Sequence, residues 1–398
     1  MTKPERLNSM IRQAVLLYVL FLLMTWGFDL HAQDRKKIEF NGHLQNLNTV
    51  FIQDVNSEWL STGSIYNRLN LKWYPTESLT FSASARNVAN YGQIIYESYP
   101  LYSDLLVKDD GYVDLTGTIA RDSSYILYSN IDRANLKFTQ GKFEATAGRQ
   151  RINWGINTVW NPNDIFNTFN FYDFDYVERP GCDAIRLQYY TGYASGYQVA
   201  FKVDSDNEIT AAGMYSFNKW NYDFQLLAGV MTTDMVIGAG WTGYIKSAGF
   251  TGEASYFRDR DNFADTTGIF VLSAGANYTF RNSLFTNVSF LYNSNGTTGD
   301  AGYGNSFIVL QDVSPKSFSP ARASLMGQLS YPITPLIQGD ITSIVNPYDG
   351  SFFVGPNVSF SLTDNIGLLF MSQIFVGDTG TEFGGYGQLY YMRLKWSF

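Results

Sequence analysis

Cysteine is almost absent: Cys182 is the only one in 398 residues. A single thiol excludes an intrachain disulfide and a cysteine-based zinc cluster. Histidine is nearly as scarce, with only His31 and His43. Hydrolytic chemistry needs a nucleophile beside a base, and no G-x-S-x-G segment accompanies either histidine. The chain therefore reads as no enzyme, and His43 as a polar residue lining an interior wall. Charged residues make up only 16%, with a balance of −8, which argues against a nucleic-acid partner. Asp259, Asp261 and Asp265 lie close together but lack the spacing of a dedicated Ca²⁺ loop. Neither a metal nor a cofactor is expected. Long apolar runs are missing too: beyond the N-terminus nothing reaches the roughly 18 consecutive apolar residues of a membrane-spanning helix.

Aromatic residues, by contrast, are abundant. The chain holds 30 Phe, 28 Tyr and 8 Trp, 17% of the total, beside 35 Gly. A β-sandwich array or a propeller would tolerate that profile. A membrane β-barrel accounts for it more directly, because it needs apolar residues outside, polar residues inside and aromatic girdles at both interfaces. At the N-terminus, Lys3, Arg6 and Arg12 frame an apolar run, and Leu30-His31-Ala32 offers a small residue at a cleavage position. The run falls short of the about 20 residues that span a bilayer. Residues 1–32 thus read as a cleaved secretory signal, and 33–398 as a single barrel domain.

Period-two alternation picks out eighteen segments of about ten residues, from 38–53 to 385–398. Short and long connections alternate between them, as periplasmic turns and extracellular loops do. Sixteen strands remains open, since the gaps near 205–207, 232–233 and 346–350 are short for outer loops. The expected fold is all-β, a transmembrane antiparallel up-and-down barrel.

Alternation also sorts the residues by face. An Arg or Lys facing lipid at the midplane costs about 2–4 kcal/mol, so the charged face belongs to the lumen. Arg68, Lys72, Arg86, Arg133, Lys137, Arg186, Lys202, Arg393 and Lys395 then form one basic arc, because the last strand closes against the first. Strand 142–152 departs from the pattern: Arg149 and Arg151 share parity with Phe143, Ala145 and Ala147. A bulge at Gly148, or emergence above the hydrocarbon, would resolve this. Loop 153–181 carries Trp154, Trp160, Asp164, Phe166, Asp173 and Asp175. Folded inward it would constrict the lumen, its acids facing the basic arc and its rings offering flat surfaces to a solute. The plainer alternative packs the rings onto the rim as a seal.

Two segments carry a family likeness. The final strand sets Tyr390, Met392, Leu394, Trp396 and Phe398 on one face, against Tyr391, Arg393, Lys395 and Ser397. It resembles the C-terminal insertion signal of bacterial outer-membrane barrels, with Tyr390, Trp396 and Phe398 among its positions. Ala147-Gly148-Arg149-Gln150, then Trp154-Gly155 and Trp160-Asn161-Pro162-Asn163-Asp164-Ile165-Phe166, resembles the "GRQ…WG…W-N-P-x-D-x-F" segment of porin-like barrels of the uncharacterised and alginate-export type. That resemblance implies an 18-stranded passive or substrate-selective channel in the bacterial outer membrane. The resemblance carries over no substrate; the basic arc and the rings of loop 153–181 are what point to small anionic or saccharide solutes. The partners to expect are outer-membrane lipid and lipopolysaccharide, the barrel-assembly machinery, a small solute, and a second copy of the chain in a homo-oligomer. The competing reading is a non-transporting surface or structural barrel, adhesin-like or an assembly component, displaying the tyrosine-rich loop 89–129.

Overall fold

The computed structural model describes residues 37–398, apart from 55, 57, 174–178 and 303–312. The expected signal, residues 1–32, lies outside the described residues. The barrel is one unit, Ile38–Phe398. Its strands are Ile38–Ile52 (β1), Leu60–Trp73 (β2), Leu79–Gly92 (β3), Thr116–Asp122 (β4), Tyr125–Gln140 (β5), Phe143–Gln150 (β6), Cys182–Tyr190 (β7), Gly196–Val203 (β8), Ile209–Lys219 (β9) and Tyr222–Met231 (β10). Asp234–Ile245 (β11), Ala248–Asp259 (β12), Ile269–Thr279 (β13), Phe285–Asn293 (β14), Ala323–Thr334 (β15), Ile337–Val345 (β16), Phe352–Ser361 (β17), Ile366–Val376 (β18) and Gln388–Ser397 (β19) complete the set. Two short helices, Gln93–Glu97 (α1) and Leu101–Leu106 (α2), follow β3.

Every wall strand runs antiparallel to its neighbours, and β19 pairs with β1 from His43↔Ser397 to Ile52↔Gln388. The result is a closed barrel of 18 strands. Its seam ends in a reciprocal pair of hydrogen bonds, Gly42 N–H to the Phe398 carbonyl and Phe398 N–H to the Gly42 carbonyl, 3.0 Å each. Closure matters because a strand edge in hydrocarbon finds no water for its N–H and C=O groups. The nineteenth strand, β4, adds to the edge of β5 above β6, pairing Thr116↔Asn130 through Asp122↔Tyr125.

Side chains sort as the alternation requires, with the polarity of a soluble protein inverted. On β8, Tyr197, Val199 and Phe201 are 51%, 55% and 42% exposed while Ala200 is 1% exposed. Glu253, Ser255, Ser273 and Gln373 are buried on the inner face. Apolar rings on the outside and buried amides and carboxylates within describe a wall set in lipid. At the short-turn end, Tyr197, Tyr215, Phe217 and Phe224 stack in a row with centroids 4.6 Å, 5.4 Å and 5.4 Å apart. Such rings belong at the membrane–water boundary, where one edge is apolar and the other wet.

Three charged residues call for a separate account. Asp132 falls on the lipid face of β5 by parity, yet it is buried inside against Arg68. The pairing with β3 shifts there, Ser84 opposing Arg133 and Ala85 opposing Ile131, so Asp132 is the extra residue of a bulge. For Arg149 the expected bulge at Gly148 is not found. Pairing of β6 with β5 and β7 runs without a shift through Gly148, so no register-shifting bulge lies there. Gly148 takes φ +110, where a Cβ would sit 2.3 Å from the Ala134 carbonyl oxygen. Arg149 therefore faces outward, as its parity says, and the stretch from Asp109 to Val113 covers it. It bonds Asp109 at 2.7 Å and Asp183 at 2.8 and 2.9 Å, and donates to the Val113 carbonyl. Arg151 has left the strand, which ends at Gln150 instead of 152. Loop 89–129, expected to be one outer loop, contains the end of β3, both helices, β4 and the start of β5.

Removing Phe398 deletes both seam hydrogen bonds and the last aromatic ring of the outer face. The expected outcome is a lower yield of heat-modifiable, folded barrel in membranes, read as the fraction of fast-migrating protein in unheated gels.

Candidate functional site

The chain leaves the wall at Gln150 and returns at Cys182, and between them it crosses the lumen. Inward side chains of successive strands hold it there. Glu253 on β12 is the centre of the attachment. Its Oε1 accepts the backbone N–H groups of Ile156 and Asn157 (2.8 Å for Asn157), and its Oε2 accepts that of Asn163 at 2.9 Å. A carboxylate taking three backbone donors makes charge-assisted hydrogen bonds, roughly twice as strong as neutral ones. Around it, Gln225 donates to the Trp154 carbonyl at 2.7 Å, and Ser255 donates to the Asn163 side chain at 2.7 Å. Asn157 reaches Ser273 on β13 at 2.9 Å. Gln373, on β18, donates to the Tyr172 carbonyl at 2.8 Å. The Tyr172 ring lies 5.2 Å from Phe353 and 6.0 Å from Phe375. The loop thus touches the wall from β8 to β13 and again at β17 and β18.

The site residues singled out from sequence divide on this frame. Trp154, Trp160 and Phe166 are 2%, 4% and 2% exposed, so they pack the loop against the wall and present no face to a solute. Trp154 donates its indole N–H to Gln198 at 3.1 Å and meets Phe166 edge-on at 4.9 Å. Asp164 is buried too, accepting the Trp154 backbone N–H. Burial pushes its carboxyl up to about 7, with the Glu253 charge acting in the same direction and Arg151 and Arg179 against it. Asp173 is exposed at the loop's far end, and Asp175 lies outside the described residues.

The basic arc is largely partnered. Arg68 makes a two-pronged pair with Asp132, 2.5 and 3.0 Å, both side chains buried. Lys137 and Arg186 share Glu144, each at 3.2 Å. Lys202 donates to the Phe166 carbonyl at 3.3 Å, and Arg133 to the carbonyls of Asp132 and Arg179. Arg86 lies over the Tyr66 ring at 4.3 Å. Lys72 sits at the short-turn end of β2, opposite Glu39. Arg393 and Lys395 line a recess of about 350 Å³ with Ser359, Ser361 and Asp364. Tyr390, Trp396 and Phe398 lie on the outer face of β19. Sequence reasoning missed Asp132, Glu144 and the anchoring role of Glu253. An acid at a lipid-facing parity, as Asp132 is, was itself a signal that the strand must bulge.

No protein-family model matches the chain, and no curated protein matches it. Solved structures do. It is similar to OccAB4 of Acinetobacter baumannii, at 10% identity over 92% of this chain and 100% of that one, with a TM-score of 0.57. It is also similar to the outer membrane protein OprD from Pseudomonas aeruginosa, at 9% identity over 91% and 93% of the two chains, TM-score 0.56. OccD3 of the same organism gives 8% identity, 91% of each chain and 0.55. At such identities the likeness establishes a shared fold, that of the bacterial outer-membrane barrel.

Two outcomes follow from the geometry. Glu253→Ala removes the acceptor of three loop N–H groups, at roughly 0.5–1.5 kcal/mol for each hydrogen bond. The loop should then be cut by added protease in a barrel that stays folded, while the parent resists. Glu382, on the loop before β19, accepts from the Ser319 hydroxyl at 2.8 Å. Burial, reinforced by Asp349, pushes its carboxyl up to about 7 from an ordinary 4.5. The folded state therefore holds the proton more tightly than the unfolded one. This contribution to stability is full below about pH 4.5 and is lost as pH rises to about 7. Glu382→Gln should flatten that part of the pH profile of the thermal midpoint.

Proposed function

We propose that the protein is an outer-membrane channel through which small anionic or saccharide solutes diffuse, passing between the lumenal loop and the basic arc. The observation that carries this reading is the Glu253 attachment. A loop merely sealing a rim needs contact with the strands beside it, whereas this one is held across the lumen by β12, β13 and β18. Such a crossing narrows an aqueous path and fixes one wall of the narrowest section.

Charge bears on selectivity through the bases that the arc gathers on one side of the lumen. Arg68 is matched by Asp132, and Glu144 is divided between Lys137 and Arg186. Lys202 and Arg133 hold their charged groups on the inner face beside the loop, donating to the carbonyls of Phe166, Asp132 and Arg179. Lysine and arginine side chains along a pore wall raise the local concentration of anions and lower that of cations. Hydroxyl and amide groups on the opposite strands suit polyhydroxylated solutes.

Planar-bilayer recording tests the proposal. Folded protein should give discrete conductance steps with an anion-favouring reversal potential in a salt gradient. Replacing Arg133 and Lys137 together by Gln should shift that potential towards cations. An absence of conductance would defeat the channel reading, and an unchanged reversal potential would defeat the arc as its selectivity element.

A further inference from the structure

The loop that enters the lumen leaves a gap in the wall behind it. β6 and β7 stop at Gln150 and begin at Cys182, whereas β5 continues up to Tyr125 and the chain beyond β8 to Asp204. Eight residues of β6, at about 3.3 Å each and tilted by roughly 40°, rise about 20 Å against an apolar band about 25 Å tall. Something other than these two strands must meet lipid at the top of this sector. The segment 109–122 occupies the place. β4 pairs with the free edge of β5, Gly111 bridges to Asp204, and Ser205 donates its backbone N–H to the Asp110 carbonyl at 3.2 Å.

We propose that this segment is an embedded part of the wall, and that its outer surface is covered by the acyl chains of outer-leaflet lipid. Three observations support that occupant. First, Tyr112, Val113 and Ile119 are 61%, 51% and 61% exposed, large apolar groups that water does not favour, although the exposed Asp110, Asp114, Arg121 and Asp122 belong to the same segment. Second, they continue the face directly below, where Ile185, Leu187 and Tyr189 of β7 point outward and are exposed in the same way. Third, Arg149 and Asp183 share that outward face and are closed off by Asp109 and the Val113 carbonyl. An ion pair facing open water would gain little from such a cover. One at the edge of hydrocarbon needs it, because an uncovered Arg there is costly. Gly111 fits the role: a Cβ at this position would fall on the Arg149 guanidinium, 1.8 Å from Nη2.

The test uses the full-length protein in phosphatidylcholine vesicles, with nitroxide labels on single cysteines in a Cys182→Ser background. Val113→Cys and Ile119→Cys are compared with Ile185→Cys on the lipid-facing wall and Tyr193→Cys in a short turn. Heat-modifiable migration confirms that each variant is folded. The ratio of collisions with oxygen to collisions with a water-soluble nickel chelate should be similar at 113, 119 and 185. It should exceed the value at 193 by at least about fivefold, as expected for a site below the headgroups. Water-like ratios at 113 and 119, with 185 lipid-like, overturn the proposal. So does exclusion of both reagents with spin–spin broadening that disappears on dilution by unlabelled protein, which would mark contact with a second copy.

Discussion

Everything in this structure answers to one constraint: inside hydrocarbon, a backbone amide or a charge must find its partner within the protein. For the backbone, the answer is closure of β19 on β1, which pairs the first strand of the ring with the last. For side chains it is the sorting of Glu253, Ser255 and Gln373 to the inside and of Tyr197, Val199 and Phe201 to the outside. The same rule explains the exceptions. Asp132 turns inward through a bulge to meet Arg68, and Arg149, which stays outward, gathers Asp109 and Asp183 about itself.

The lumenal loop is the main disturbance of that order. Sending residues 151–173 inward after Gln150 shortens two strands and opens an edge on β5. The preceding outer loop repairs it with β4 and the stretch before it. Interior and exterior are therefore coupled, since the segment that narrows the lumen and the segment that completes the wall exist because of each other. Arg149 stands where the two meet, one residue before the strand ends.

Much of the barrel was legible in the sequence because its signal is local. Alternation over ten residues locates a strand whatever it pairs with, and the segments at 182–190 and 196–204 agree with the structure to within a residue. The inward course of residues 153–181 was an open choice, because its cause lies on β12. Nothing near Trp154 shows that Glu253 waits for its neighbours' N–H groups. The rings of Trp154, Trp160 and Phe166 suggested solute contact for the same reason: an aromatic residue looks alike whether it faces a pore or a wall. Charge gave a better clue. Asp132 and Arg149 each broke the parity rule, and each marks a place where the structure does something a plain strand does not. The "GRQ…W-N-P" segment straddles the point where the chain turns inward, although no family profile supports the resemblance it suggested.

The distance in sequence between the loop and its anchors sets an order of events. Asn157 is 96 residues from Glu253, and Tyr172 is 201 from Gln373. Contacts of such separation form late, after the loops they close have been ordered by other means. A growing sheet that ends at β7 has nowhere to seat residues 151–173, and only when β12, β13 and β18 are in place does their seat exist. The seat of the loop is thus made by strands that lie far along the chain from it.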